Sequence, residues 1–479
     1  DYQIVQECLK ELQKYKTIDD IEHQVGSKTF CILPWIHLST RPGGTVRVCC
    51  TANASSVGPT NDKEHGGMVG TLKGSDGKPE NVNDKTFLEI WNNEYMRNVR
   101  QKMLSSEKPA SCLKCFKEEA AGHRSKRQWE TEYWSKRVDI DQLISETDSN
   151  GKVPPKVRYV DLRMGTKCQL SCVMCSPHDS SGWIKDWQSI HPEVKNEQLK
   201  DTMNWSKNGP DSHYNWHKNN PKFWDELYQQ IPYMKQLYFA GGESTIIEEH
   251  YELLERVVEM GYAHQIELRY NSNGVEMPDR LFSLWDKFQK VRFHYSIDSI
   301  GEMNDYIRYP SKWSHQREIF NLLDQKTGDN VEITIACAVQ ILNVFYIPDF
   351  IKWKLEQNFK KINPWPLGAG LVNYHFVYHP PHMNVKILPQ WFKEKCKKKY
   401  EEFYPWLEEN WQLSGAPSKE DFLESNYGIK RLKGLISFMM SEDWSNRMEE
   451  FKEYINLIDK TRGTDFNKTF SEMSPLINE

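Results

Sequence analysis

Nowhere in the 479 residues do about 18 apolar residues follow one another, so no segment can cross a membrane as a helix. The chain opens on Asp1-Tyr-Gln-Ile-Val-Gln-Glu-Cys-Leu-Lys10, a polar, amphipathic stretch without a signal-peptide core. It has no initiator Met, which leaves room for a targeting segment ahead of it. There is no repeat of fixed period and no Gly/Ser- or Pro/Gln-dominated tract. Neither sign of charge prevails: 62 Lys and Arg against 67 Asp and Glu leave a net charge of −5, too small for a general polyanion binder. The basic run Lys393-Glu-Lys-Cys-Lys-Lys-Lys-Tyr400 is followed at once by Glu401 and Glu402, and fits a solvated helix face better than a nucleic-acid patch. What remains is a globular chain rich in aromatics, 17 of them Trp, and long enough for two or three domains. Its eleven cysteines, without a secretory signal, are better metal ligands and buried thiols than a disulfide framework, which points to a reducing, cytoplasmic compartment.

Three of those cysteines lie in Cys168-Gln-Leu-Ser-Cys172-Val-Met-Cys175, a CxxxCxxC array on a loop after a predicted strand at 157–163. Gly165 lets the chain turn into that loop. Clustered thiolates suit a soft metal centre, yet a closed zinc or iron–sulfur site takes four ligands. A [4Fe-4S] cluster on three thiolates leaves one iron open to a small ligand; the alternative is a zinc site or scattered buried thiols. The spacing resembles the signature of the radical S-adenosylmethionine (SAM) superfamily. That resemblance implies a SAM-binding [4Fe-4S] cluster whose open iron chelates the amino and carboxylate groups of SAM. An electron from the cluster then cleaves SAM to a 5′-deoxyadenosyl radical, which abstracts a substrate hydrogen.

A second cysteine group precedes the first. An apolar run at 30–40 carries Cys31, Arg41-Pro-Gly-Gly44 forms a turn, and Thr45-Val-Arg-Val-Cys49-Cys50 is the return strand of a hairpin that brings Cys31 and Cys49 together. A helix is predicted from an N-cap at Asp84 through Phe87, Ile90, Trp91, Val99 and Met103, and Cys112 and Cys115 then form a CxxC pair. This arrangement resembles the twitch domain, a shortened form of the SPASM auxiliary-cluster domain. It implies an auxiliary [4Fe-4S] cluster on Cys31, Cys49, Cys112 and Cys115. A zinc hairpin on the same four ligands is the alternative, and Cys50 could replace Cys49, although the Gly-x4-Cys spacing from Gly44 favours Cys49. One departure is the order, since such domains usually follow the radical SAM barrel and this one precedes it. Around these motifs, residues 1–30 suggest a helix with Ile4, Val5, Cys8, Leu9 and Leu12 on one stripe, and 53–83 a long loop. Residues 116–150 look helical to about Leu143, and the turn-rich segment 145–151 puts a domain boundary near residue 150.

Beyond it, predicted strands at 157–163, 235–240, 265–271, 291–297, 331–338 and 370–378 alternate with helices at 246–260, 278–288, 313–325 and 347–358. Six βα-type units imply an α/β fold with a parallel sheet, and the resemblance makes it a partial (β/α)6 TIM-like barrel over 151–385. An insertion at 176–234, rich in Trp, Asn, His and Lys, is either a substrate cap or a surface excursion packed by its own tryptophans, and a helical extension covers 386–479.

Strand-end motifs supply the remaining candidates. Gly241-Gly242-Glu243 resembles the family's GGE motif, implying contacts to the SAM amino group. Ser272 sits in Asn271-Ser-Asn-Gly274, similar to a segment near SAM, and Ser296 and Asp298 match an S-x-D segment that contacts the ribose and neighbouring substrate. Arg308 is placed to pair with the SAM carboxylate, a bidentate task suited to a guanidinium, and Asn343 to contact adenosine. Cys337 is expected as a core thiol, with hydrogen-atom donation into the barrel as the alternative, and no catalytic acid or base is assignable. The expected function is thus a radical SAM enzyme that oxidises or rearranges a small molecule, with electron transfer through the auxiliary cluster and a donor such as flavodoxin or ferredoxin. A peptide- or protein-modifying enzyme making cross-links or epimers is the first alternative, and a non-catalytic iron–sulfur or zinc scaffold the second. The thirty residues ahead of Cys31 are too few for a leader-peptide recognition domain, which disfavours the first alternative.

Overall fold

The computed structural model describes residues 16–52, 70–120, 124–204, 212–362, 371–424 and 428–478. The predicted stripe from Ile4 to Leu12 and residues 53–69 of the long loop lie outside them. The chain divides into two compact units, residues 1–165 with 212–238, and residues 166–211 with 239–479.

The first unit is built on β1 (His37–Thr40), β2 (Val46–Arg47), β3 (Tyr159–Leu162) and β4 (Gln236–Phe239), in the order β2-β1-β3-β4. The hairpin forms as the turn chemistry predicts: Gly44 adopts φ 82°, its N–H donates to Arg41 O at 2.8 Å, and β1 pairs antiparallel with β2. The run before it is not strand throughout, because Leu33–Ile36 closes one helical turn with Pro34 in its first positions, a place where proline's missing N–H costs nothing. The β1 strand also pairs in parallel with β3, register His37↔Tyr159. This pairing ties β3 to the hairpin, so the division falls after Gly165 rather than near residue 150.

The helix expected from Asp84 is two helices. Thr86 caps Phe87–Trp91 in a capping box with Glu89, and Asn93 caps Glu94–Leu104 after a break at Asn92. Arg100 fills the break: buried, it donates to Trp91 O at 3.0 Å and Asn92 Oδ1 at 2.9 Å there, and to Pro34 O at 2.8 Å. Helices Leu113–Ala120 and Lys126–Ser135 complete the surroundings of the four cysteines.

In the second unit, β5 (Glu267–Ser272), β6 (Lys290–Ser296), β7 (Val331–Val339) and β8 (Asn373–Phe376) run parallel in sequence order, with helices Glu248–Glu259, Asp279–Trp285, Trp313–Lys326 and Ile347–Glu356 among them. Neither group of strands closes on itself. Burial alternates along β6, so Val291, Phe293 and Tyr295 enter the core while Lys290, Arg292, His294 and Ser296 take the other face. On that face Glu267 and Glu332 bracket Arg292, at 3.3 and 3.4 Å, and His294 meets Thr334 Oγ1 at 2.6 Å. Cys337 shares the parity of Ile333 and Ile335 and is buried with them, as a core thiol. Helix Glu248–Glu259 buries Tyr251, Leu253, Leu254 and Val257. The residues after 385 belong to the second unit and are not separate, and within them Lys397 and Lys398 pair with Glu401 and Glu402, at 4.0 and 3.8 Å.

Candidate functional site

The CxxxCxxC loop is a backbone-supported platform within the second unit. Ser171 N donates to Tyr309 O at 2.6 Å and Val173 N to Ile307 O at 2.9 Å, anchoring the loop to the segment that carries Arg308. Trp183 Nε1 donates to Cys172 O at 2.7 Å. From the far end of the chain, helix Met448–Arg462 sends Tyr454 to Val173 O at 2.9 Å and Arg462 Nη2 to Ser171 O at 2.9 Å. The Arg462 guanidinium also ion-pairs with Asp186 at 2.9 Å and lies 4.2 Å from the centre of the Trp183 ring.

The three thiols interact. Burial, then the Cys172 charge, pushes the Cys168 thiol up to about 12. A hydrogen bond from Cys175, helped by the cations Arg308 and Arg462, holds Cys172 below its ordinary value, and the same bond raises Cys175. Arg308 Nη1 lies 3.9 Å from Cys172 Sγ, and its Nε is 2.8 Å from Asp298 Oδ2. Asp298 in turn accepts from Ala338 N at 2.7 Å.

Glu243 stands beside this loop because Gly242 does. At φ 55°, a Cβ on Gly242 would sit 2.6 Å from Lys167 O, and Glu243 N donates to that same carbonyl at 2.8 Å. The buried Glu243 carboxylate accepts from Ser272 Oγ at 2.8 Å, Thr245 Oγ1 at 2.9 Å, Thr245 N at 3.2 Å and Asn273 N at 2.7 Å. Burial nonetheless outweighs these donors and raises its pKa. Ser272 is therefore engaged with Glu243, while Ser296 sits half-buried at the end of β6. Asn343 spends its amide on Asp298 O at 2.9 Å and Ala338 O at 3.0 Å, holding the ends of β6 and β7 together.

In the first unit, Cys31, Cys49, Cys112 and Cys115 line one cavity together with Lys126 and Arg127. Cys50, the alternative to Cys49, does not line it. Burial raises all four thiols, Cys49 to about 11, and each feels the charge of at least one other cysteine, the four lining ones and Cys50 among them, except Cys115, which faces Glu118 and Glu119.

Residues 31–116 match the model of the SPASM iron–sulfur cluster-binding domain, a span that holds all four cavity cysteines. The matched span covers the auxiliary cysteine group and ends before the CxxxCxxC loop. No curated protein matches the chain. Among solved structures, it is similar to Streptococcus suis SuiB at 14% identity, over 56% of this chain and 53% of that one, with a TM-score of 0.27. SuiB bound to S-adenosylmethionine aligns at 12% identity over 66% and 62%, TM-score 0.30, and TYW1 with a lysine–pyruvate adduct at 14% over 40% and 59%, TM-score 0.22. The chain thus spans between about half and two thirds of the length of these structures.

The matched domain binds an iron–sulfur cluster, and the four cavity cysteines fit one. Among the described residues, no three His, Cys, Asp or Glu side chains converge on a single-ion site, a convergence that a four-iron cluster, wider than one ion, does not require. No cation among the described residues pairs with the Glu243 carboxylate, which is 1% exposed, so an ammonium group would meet a buried charge without a partner. Buried polar atoms without hydrogen-bond partners gather at the ends of β6 and β7, namely Ser299 Oγ, Asn304 Nδ2 and both amide atoms of Gln340, which suits a polar ligand.

Sequence reasoning did not single out Asn273, whose Nδ2 lies 3.6 Å from Cys168 Sγ and whose N–H serves Glu243. The signal was there, since Asn273 sits inside the strand-end segment chosen for Ser272. Tyr454 and Arg462 carried no signal at all, because nothing local marks a helix residue that meets a carbonyl 281 or 291 positions away.

Proposed function

We propose that this chain is a radical SAM enzyme that removes a hydrogen atom from a small-molecule substrate, leading to its oxidation or rearrangement, with the SPASM-domain cluster as electron relay. Bound at the CxxxCxxC loop, the cluster and SAM supply one-electron reductive cleavage and a 5′-deoxyadenosyl radical. The observation that carries the reading is Glu243: a buried, cation-free carboxylate fastened through Lys167 O to the cysteine loop. In this reading Cys168, Cys172 and Cys175 hold the SAM-binding cluster, while Cys31, Cys49, Cys112 and Cys115 hold the auxiliary one. Glu243 receives the SAM ammonium, with Gly241 and Gly242 giving it close approach, and Ser272 and Asn273 fix the carboxylate's orientation. Arg308 faces the SAM carboxylate from its place between Cys172 and Asp298, and Ser296 lies toward the ribose and substrate. Asn343 acts on adenosine through the strand ends it holds. A protein of the flavodoxin or ferredoxin class delivers the electron.

Iron and sulfide content with EPR after anaerobic reconstitution tests this. The wild type is expected to hold about eight irons, and the Cys168→Ala/Cys172→Ala/Cys175→Ala variant about four, with a SAM-induced spectral change in the wild type alone. About four irons in the wild type, all lost in the variant, would remove the auxiliary cluster from the proposal. No SAM response in either protein would defeat the enzyme reading.

A further inference from the structure

One face of the β5–β8 strands is more polar than a parallel sheet requires. Such sheets are commonly apolar on both faces. The face that carries Leu268, Tyr270, Val291, Phe293 and Ile333 keeps to this, each of them buried. The other face holds nothing apolar larger than alanine. Register sets Asn271, His294 and Thr334 side by side across β5, β6 and β7. It sets Ser296, Ala336 and Asn373 side by side across β6, β7 and β8, with His375 opposite Ala338. Gln340, just past the end of β7, keeps the parity of Ala336 and Ala338. Asn271 and His375 are exposed and His294 and Ser296 half-buried, so the face is open to a small ligand.

The charges on this face lie toward the strand starts, where three cations share two carboxylates. Glu267 is 3.9 Å from Arg269 and 3.3 Å from Arg292, and Glu332 pairs with Arg292 and Lys290. Toward the strand ends the groups are imidazole, carboxamide and hydroxyl. Burial, followed by the nearby Arg269, His375 and Arg292, holds the His294 imidazole down at about 3 and so neutral, while Thr334 Oγ1 meets its Nδ1. The carboxylate at the end of β6, Asp298, is matched by Arg308 at 2.8 Å. Gln340 is fully buried, and neither its amide nitrogen nor its amide oxygen has a hydrogen-bond partner. A carboxamide buried without either bond is costly, and a ligand that supplies both removes the cost.

Imidazole, carboxamide and hydroxyl groups each give and take hydrogen bonds, and their complement is a group that does both without charge. A hydroxyl is such a group, whereas an ammonium or carboxylate would lose its hydration here without gaining a counter-ion. Ala336 and Ala338, short between the polar neighbours on β6 and β8, leave room for it. The position also suits a reacting ligand: ligands of parallel sheets bind at the carboxyl ends of strands, and Ser296 stands two residues before Asp298, the partner of the arginine beside Cys172.

We propose that this face binds the substrate through His294, Ser296 and Gln340, and that the substrate is an uncharged compound bearing several hydroxyl groups. The proposal rests on the function proposed above and names its substrate class. Thr334 is then a positioning residue, which fixes the His294 ring through Nδ1.

The test is saturation-transfer NMR on the full-length, anaerobically reconstituted protein with SAM present. The probes are ribitol and glucose, then gluconate and glucosamine, which add a charge of either sign to a similar skeleton, and N-acetylglycinamide as a neutral amide. The wild type is expected to bind at least one of the two polyols, and the charged probes at least about fivefold more weakly. His294→Leu and Gln340→Leu each weaken polyol binding about 3- to 10-fold, the loss of one neutral hydrogen bond. His294→Gln, which keeps a neutral donor and acceptor, stays within about twofold of wild type, and Thr334→Val falls between. Should either Leu variant fail to fold, Ser296→Ala takes its place and must show the same fall. No polyol binding to the wild type, tighter binding of a charged probe or of the amide, or unchanged polyol affinity in the folded variants would each overturn the proposal. Conversion of SAM to 5′-deoxyadenosine by the same preparation separates the failures: with it, only the substrate class falls; without it, the enzyme reading beneath falls as well.

Discussion

Replacing Glu243 by Gln separates the two duties of that side chain, holding the loop and holding a ligand. A carboxamide keeps an acceptor for Ser272 and Thr245, but its NH2 then faces the N–H of Asn273, and the 2.7 Å bond is lost to two opposed donors. That loss costs about 1–3 kcal/mol of stability, and removing a buried charge that already titrates high returns part of it. The net change in stability is therefore small. Ligand binding has no such offset: a charge-assisted hydrogen bond to an ammonium contributes about 1.5–3 kcal/mol, so SAM affinity should fall roughly 10- to 150-fold. Anaerobic equilibrium dialysis of SAM against cluster-loaded protein, with iron content as control, reads this directly. The pH profile supplies a second readout. Burial raises the Glu243 pKa above the ordinary carboxylate range, so in the ligand-free protein the neutral form contributes stability at low pH that is lost as pH rises through the raised value. An ammonium binds the ionised form, so SAM displaces the proton, and wild-type affinity weakens as pH falls through that same pKa. The Gln variant should be flat over the window. Wild-type affinity in the variant with its iron intact, or two pH profiles that coincide, would refute the reasoning.

Two further outcomes follow from the same geometry. Gly242→Ala puts a Cβ 2.6 Å from Lys167 O at φ 55°, so the carbonyl one residue before Cys168 has to move; of the about eight irons the proposed function expects, about four should be lost. Tyr454→Phe strands the buried Val173 carbonyl, costing about 1–3 kcal/mol and speeding iron loss from the CxxxCxxC loop, and Arg462→Met should be the more severe of the two, because its guanidinium serves Asp186, Ser171 O and the Trp183 face at once; timed chelation of iron from each variant gives the order.

Much of the fold was legible because its signals are local. The strand–helix alternation placed β5, β6 and β7 within two residues of where they lie, and the Arg41-Pro-Gly-Gly44 turn returned the hairpin as its chemistry requires. The failures were also local, but competitive. Asp84 looks like a helix cap until Thr86 offers the same hydroxyl-to-N3 bond with Glu89 to complete a box, and the two-residue shift follows from the stronger motif. The run after Phe30 is apolar enough for a strand, yet Pro34 makes a helical turn of its middle, and only its last four residues pair. Domain division draws on a different signal. Composition marks a linker at 145–151, but the parallel register of β1 with β3 carries the first unit past it, and no composition reports a pairing between residues 122 apart.

The candidate site divides along the same line. Cys168, Cys172, Cys175 and Glu243 stand out in the sequence through short spacings at strand ends, where a parallel sheet collects its functional groups. What supports those residues is not. The carbonyls of Ser171, Cys172 and Val173 each need a donor, since an unsatisfied buried carbonyl costs as much as a cluster ligand's orientation can bear, and the three donors come from Arg462, Trp183 and Tyr454. Two of these lie on a helix nearly three hundred residues downstream that sequence alone treats as a charged appendage. Helix Met448–Arg462 is thus part of the platform under the cysteine loop: the loop's successive carbonyls define what that helix must present, a phenol and a guanidinium two turns apart, and Tyr454 and Arg462 at i and i+8 meet that requirement.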